Sequence, residues 1–154
     1  MIAAVKMSIL IITLGMVIVS DLRKMIIPNQ VLIVNAVFGF VFAFLLPSWS
    51  WILGAAFGGG LFLAMYLAMP GMLGEGDIKL VAIIGLYLGW PNIVPFIVIS
   101  ILACSVICLF LVLIRKATMQ TKVPFAPFLG IGAVATVLFQ TQIWSFIGYM
   151  VTGF

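Results

Sequence analysis

The sequence has no histidine, and Asp and Glu together number three in 154 residues. It has two cysteines, and charged residues of both signs make up only 6% of it. Each shortage excludes something. Without histidine there is no Ser-His or Cys-His nucleophile and no histidine metal ligand. Cys104 and Cys108 lie four apart with no C-x-x-C pair, which is too few ligands for a zinc site. They share one helix face and read as small apolar side chains. With so little charge, a folded globule could not cover its surface for water, since soluble domains carry about a quarter charged residues.

What is present is apolar. Hydrophobic residues make up 66% of the chain, and the mean hydropathy is +1.45. This composition predicts an all-α, polytopic integral membrane protein folded as a single domain over residues 1–154. Continuous apolar runs, rather than alternating ones, exclude a β-barrel. The net charge of +4 is no nucleic-acid footprint, because the basic residues flank apolar runs rather than cluster among aromatics.

A helix rises about 1.5 Å per residue, so about 20 apolar residues cross a bilayer. That spacing predicts six spans: Ile2–Ser20, Gln30–Leu46, Trp49–Met69, Ile78–Trp90, Ile93–Ile114 and Phe125–Trp144. No A-x-A-like cleavage site follows the first apolar run, so it is expected to stay as a helix. "GAAFG" at 54–58 has a close-packing spacing, which Gly59 and Gly60 extend. Asn35 is either an interhelical hydrogen-bond partner or interfacial.

The connections fall into two sets. One holds Arg23, Lys24, Lys79, Arg115, Lys116 and Lys122; the other, "PSWS" and "WPN", holds no charge. Lys6 alone lies on the second side. The positive-inside rule then puts the first set in the cytoplasm and both termini outside, with Trp49, Trp51, Trp90 and Trp144 near the outer interface.

All three acids, Asp21, Glu75 and Asp77, fall on the expected cytoplasmic side. Asp21 ends the first span and Asp77 begins the fourth. Each has an ordinary explanation. Asp77 suits a helix start, and Asp21 suits a solvated interface beside Arg23 and Lys24. Yet acids near a membrane are costly, and two at the ends of different spans invite a paired use. Two carboxyls sharing a site do not both ionise readily, so one holds a proton while the other acts as a base. That pair activates water and protonates a peptide carbonyl, and no other hydrolytic apparatus is visible. Gly74 and Gly76 precede Asp77 and permit unusual backbone shapes, while Pro28 fixes a turn before the second span. The macrodipole makes Asp77, near a helix start, the expected base, and Asp21 the protonated partner.

These residues resemble those of a known family. "D21-L-R-K-M-I-I-P-N29" is similar to the D-x5-I-P-N element of type IV prepilin peptidases, and "G74-E-G-D77-I-K-L80" to their G-x-G-D-x-K-L element. "V123-P-F-A-P-F128" resembles their P-F-x-P segment, with Ala126 where many members have glycine. The resemblance implies a membrane aspartyl endopeptidase of the cytoplasmic (inner) membrane. It would need no cofactor or metal and would cut the basic leader from a prepilin or pseudopilin at the cytoplasmic face. Asp21 and Asp77 are then catalytic, with Gly74, Gly76, Pro28 and Asn29 shaping the loops and the substrate site. Larger members carry a domain with paired C-x-x-C motifs after the first helix and also methylate the product. Here nine residues, 21–29, stand in that place, so cleavage without methylation is expected, as in short members serving Flp pili. Glu75 either attracts the basic leader or is simply solvated. A proton- or cation-coupled transporter using the same acids is the competing expectation.

Overall fold

In the computed structural model, residues 2–45, 48–69, 73–114 and 124–152 are described. Among them the chain forms seven helices and no strand: α1 (Ile2–Lys24), α2 (Asn29–Leu45), α3 (Trp49–Ala68), α4 (Glu75–Leu88), α5 (Ile93–Leu113), α6 (Ala126–Leu138) and α7 (Gln140–Thr152). Arg115, Lys116, Lys122 and Val123, as well as Leu46, which was expected to end the second span, lie outside the described residues.

The ends of the helices follow from local chemistry. α1 continues past Ser20 through Asp21 and stops where Met25 turns to a positive φ of 50°. There the Met25 N–H donates to the Asp21 carbonyl at 2.8 Å. Proline cannot continue a helix but starts one well, and the Pro28 carbonyl accepts from the Val31 and Leu32 N–H groups as α2 begins. The Ser48 hydroxyl caps α3 by accepting from the Ser50 N–H. α4 ends at Gly89, whose φ of +71° favours glycine.

α4 is the centre of the molecule. Val81, Ile84 and Tyr87 are fully buried, and α1, α2, α3, α5 and α6 all pack on it. A helix hidden on every side reads as apolar all round, and its 14 residues need not match the bilayer by themselves. At the α3–α4 crossing Gly54 and Gly85 meet backbone to backbone: a Cβ on Gly85 would stand 2.5 Å from the Gly54 carbonyl oxygen. Gly58 and Gly59 pack against α4 as well, whereas a Cβ on Gly60 would meet nothing within 4 Å. The small face therefore stops at Gly59.

Three helices are long and apolar enough to cross a membrane by themselves: Val5–Lys24, Trp49–Ala68 and Ile93–Leu113. α2, with 17 residues, and α4 are shorter. The expected last span is not one straight helix. It breaks at Phe139 into α6 and α7, bent by 77°. Gln140, Thr141 and Gln142 follow at once and are exposed; a straight continuation would carry three polar side chains in a row along the span. Trp144 fixes the bend by donating its indole N–H to Asn92 Oδ1 at 2.8 Å.

Asn35 is an interhelical partner. Buried in α2, it accepts from the Thr13 hydroxyl of α1 through its side chain and from the Tyr87 hydroxyl of α4 through its carbonyl. Cys104 and Cys108 are half-buried free thiols with sulfurs 3.8 Å apart. Thr136, 1% exposed on α6, holds a hydroxyl with no partner among the described residues. Replacing it with valine removes that unmet group at nearly constant shape. Thr136→Val is therefore expected to be at least as stable as wild type, by up to about 1 kcal/mol, and to melt in detergent at or above the wild-type temperature.

The helices sort the chain into two ends. Ser50 accepts from the Trp90 N–H and donates to the Trp90 carbonyl, and Lys6 lies over the Trp51 ring, so the tryptophans and Lys6 share one end. The start of α4, the end of α1 and the start of α6 share the other.

Candidate active site

At that second end an open cleft of about 290 Å³ is lined by Asp21, Asn29, Gly74, Glu75, Gly76 and Asp77, among others. Residues 56 positions apart in sequence thus share one cavity. Pro28 is not in its lining; it acts one step back, by starting α2.

Asp21 faces inward from the last turn of α1 and is 6% exposed. Its Oδ2 accepts the Ala126 N–H at 2.9 Å. Ala126 is the first residue of α6, where helical N–H groups have no partner inside the helix. The N-terminus of α6, opened by the P-F-A-P-F segment, therefore anchors Asp21. Nothing in residue type marks a backbone donor as part of a site; the two prolines that start α6 are the available signal. Arg23 and Lys24 are exposed.

Asp77, half-exposed, stands in the first turn of α4, ahead of the apolar stretch that begins at Ile78. Its Oδ2 accepts from the Gly74 N–H at 3.2 Å, and its own N–H donates to the Gly74 carbonyl at 3.1 Å. The capping role is thus real, and it holds the carboxyl at the cleft rather than removing it. Gly76 makes room for the link between α1 and α2: a Cβ there would meet Ile27 Cβ at 3.0 Å. The two halves of the site touch across this glycine.

The electrostatics run against the macrodipole expectation. Burial pushes the Asp77 carboxyl up from 3.8 to about 6; the Gly74 N–H opposes this, and the charge of Asp21 adds to it. Asp77 therefore holds its proton into mildly acidic solution, because loss of water outweighs the helix dipole. The sign for stability follows. The proton on Asp77 favours the fold below its ordinary value of 3.8, and that contribution is lost as pH rises through about 6. Asp21→Asn removes one upward influence but not burial. Infrared titration of that variant is expected to find Asp77 below 6 yet still above 3.8; an unchanged value would show that the carboxyls do not interact.

Glu75 is exposed at the cleft rim, and Lys79, also exposed, lines the same cavity. Among the described residues no group of three or more Cys, Asp or Glu side chains is placed to hold a metal.

The sequence pattern of the type IV leader peptidase family matches residues 8–109. Over 98% of its length the chain is 36% identical to the prepilin leader peptidase/N-methyltransferase of Bacillus subtilis, covering 60% of that protein. It is 28% identical over 80% of its length to the protein of the same name from Aeromonas salmonicida, covering 45% of it. The Legionella pneumophila protein of that name is 34% identical over 50% of this chain, which covers 27% of that relative. The chain thus spans at most about three fifths of these relatives. No solved structure matches it.

Proposed function

Because the chain belongs to the type IV leader peptidase family, we propose that it is a membrane aspartyl endopeptidase removing the basic leader from type IV prepilin-like precursors, Flp-type ones included. The observation that supports this most is the shared cleft of Asp21 and Asp77, with Asp77 raised to about 6. Asp21, fixed by the Ala126 N–H, takes a proton from a water as that water's oxygen attacks the scissile carbonyl. Asp77 supplies the proton that the carbonyl oxygen takes up. Collapse of the intermediate then breaks the C–N bond as Asp21 passes its proton to the departing nitrogen and a hydroxyl of the intermediate returns one to Asp77. Gly74 and Gly76 let the first turn of α4, which carries Asp77, pack close against the α1–α2 link, and Pro28 and Asn29 set that link.

The acidic end faces the cytoplasm of the inner membrane and the tryptophan end faces outward, which puts both termini outside. The charge distribution supports this orientation, as does the grouping of Trp51, Trp90 and Trp144. Co-expression with a prepilin is the test: the precursor is expected to lose its leader, and precursors left at full mass would remove the proposal.

The chain cleaves without methylating. Residues 25–28 alone join α1 to α2, and the cysteine pair sits on α5. Mass spectrometry of the released N-terminus is expected to show a free amine, and a methylated one would overturn this.

A further inference from the structure

Beside the dyad cleft the bundle carries a second cavity, an apolar groove of about 490 Å³. α2 and α3 both pack on α4 rather than on each other, and the groove is the gap between them. Ala36 of α2, Ala55 of α3 and Ala82 of α4 line it, and the exposed side chains of Ile33 (63%) and Phe40 (54%) form its outer wall. Asn29 and Lys79 line both this groove and the dyad cleft, so the two cavities meet. The cleft end holds all three acids of the chain, and the groove holds none.

Resting on the peptidase function proposed above, we infer that this groove seats, as an apolar helix, the stretch of the precursor that follows the scissile bond. The furrow then matches the substrate in order: basic leader against the acidic cleft, scissile bond at the dyad, apolar helix along α2 and α3. An alanine from each bounding helix lets another backbone come close. Such contact drives helix association in lipid, where the hydrophobic effect between helices is absent. An inserted segment at this depth has to meet its own backbone hydrogen bonds, so it binds as a helix. From Asn29 to Phe40 the groove is about 16 Å long, room for about 11 helical residues.

Two probes made from one prepilin separate this from the peptidase function. One carries leader and apolar helix; the other ends a few residues after the scissile bond. Ala36→Leu and Ala55→Leu are expected to raise KM about tenfold for the long probe, the worth of one close interhelical contact, and to leave kcat and the short probe unchanged. Equal changes for both probes, or none for either, would overturn the groove while leaving the peptidase standing. If wild type cuts neither probe, the peptidase function fails and the groove assignment fails with it.

A second measurement does not depend on how the alanine variants fold. A photo-crosslinking residue at Ile33 in the Asp77→Asn protein is expected to capture the precursor within the first turns after the scissile bond. The same residue at the exposed Val106 of α5 is expected to capture none. Capture of lipid alone at Ile33 would make the groove a lipid site and overturn the assignment.

Discussion

Asp77→Asn is expected to insert and fold like wild type and to leave the prepilin leader uncut, with the rate down by a factor on the order of 10² to 10⁴. The structure makes asparagine a clean probe. Its amide oxygen still accepts the Gly74 N–H that Asp77 Oδ2 now accepts, so the cap of α4 survives while the titratable proton is gone. Asp21→Asn has the same merit, since an amide oxygen still accepts the Ala126 N–H. Groups that act as one unit are not additive. Each single variant is therefore expected to lose nearly as much activity as the double variant. A variant that cuts at the wild-type rate would end the dyad mechanism. Loss of proton or cation flux in reconstituted vesicles would instead identify a transporter built on the same acids.

Gly85→Ala is expected to be among the most damaging single methyl additions in the fold. The added Cβ would stand 2.5 Å from the Gly54 carbonyl oxygen and 2.7 Å from the Ala55 Cα. Both are backbone atoms, which cannot swing aside as a side chain would. α3 and α4 must therefore separate, at a cost of about 1–3 kcal/mol or more, read as a lower melting temperature in detergent. Because α4 also carries Asp77, cleavage is expected to fall with it. Gly60→Ala is the control. It lies on α3, the other helix of that crossing, with no neighbour within 4 Å of the new Cβ, and it should stabilise by about 0.5–1 kcal/mol through lost chain freedom. If both alanines melt alike, close approach at the α3–α4 crossing is not what holds these helices together.

Much of this was legible in sequence because charge is expensive in a membrane. Three acids among so many apolar residues point to their own sites, and Asp21 and Asp77 do line one cleft. What stayed hidden belongs to the backbone and to burial. The Ala126 N–H that anchors Asp21 has no signature of residue type. The dipole at the start of α4 is visible in the order of residues, but the burial that overrides it at Asp77 appears only once α1 and the α1–α2 link pack there. Lys6 was expected near the outer interface; it is 2% exposed, with its ammonium 3.0 Å from the centre of the Trp51 ring. A cation resting on an aromatic face is stabilised without a carboxylate, and a partner 45 positions away is not announced by local pattern. The bend at Phe139 had a signal, the "QTQ" at 140–142, which a window averaging hydropathy smooths away.

The tryptophan end is laced crosswise. Ser50 is tied to Trp90, Lys6 to Trp51, and α7 folds over to reach Asn92 through Trp144. A bundle bound at one end behaves as a set of levers with a common fulcrum. Tilting a helix of about 20 Å by about 5° moves its far end by about 2 Å, and the ends farthest from the lacing here carry the two carboxyls. Any rocking of α4 against α1 about that fulcrum would therefore be felt most in the spacing of Asp77 and Asp21 and least at the tryptophans.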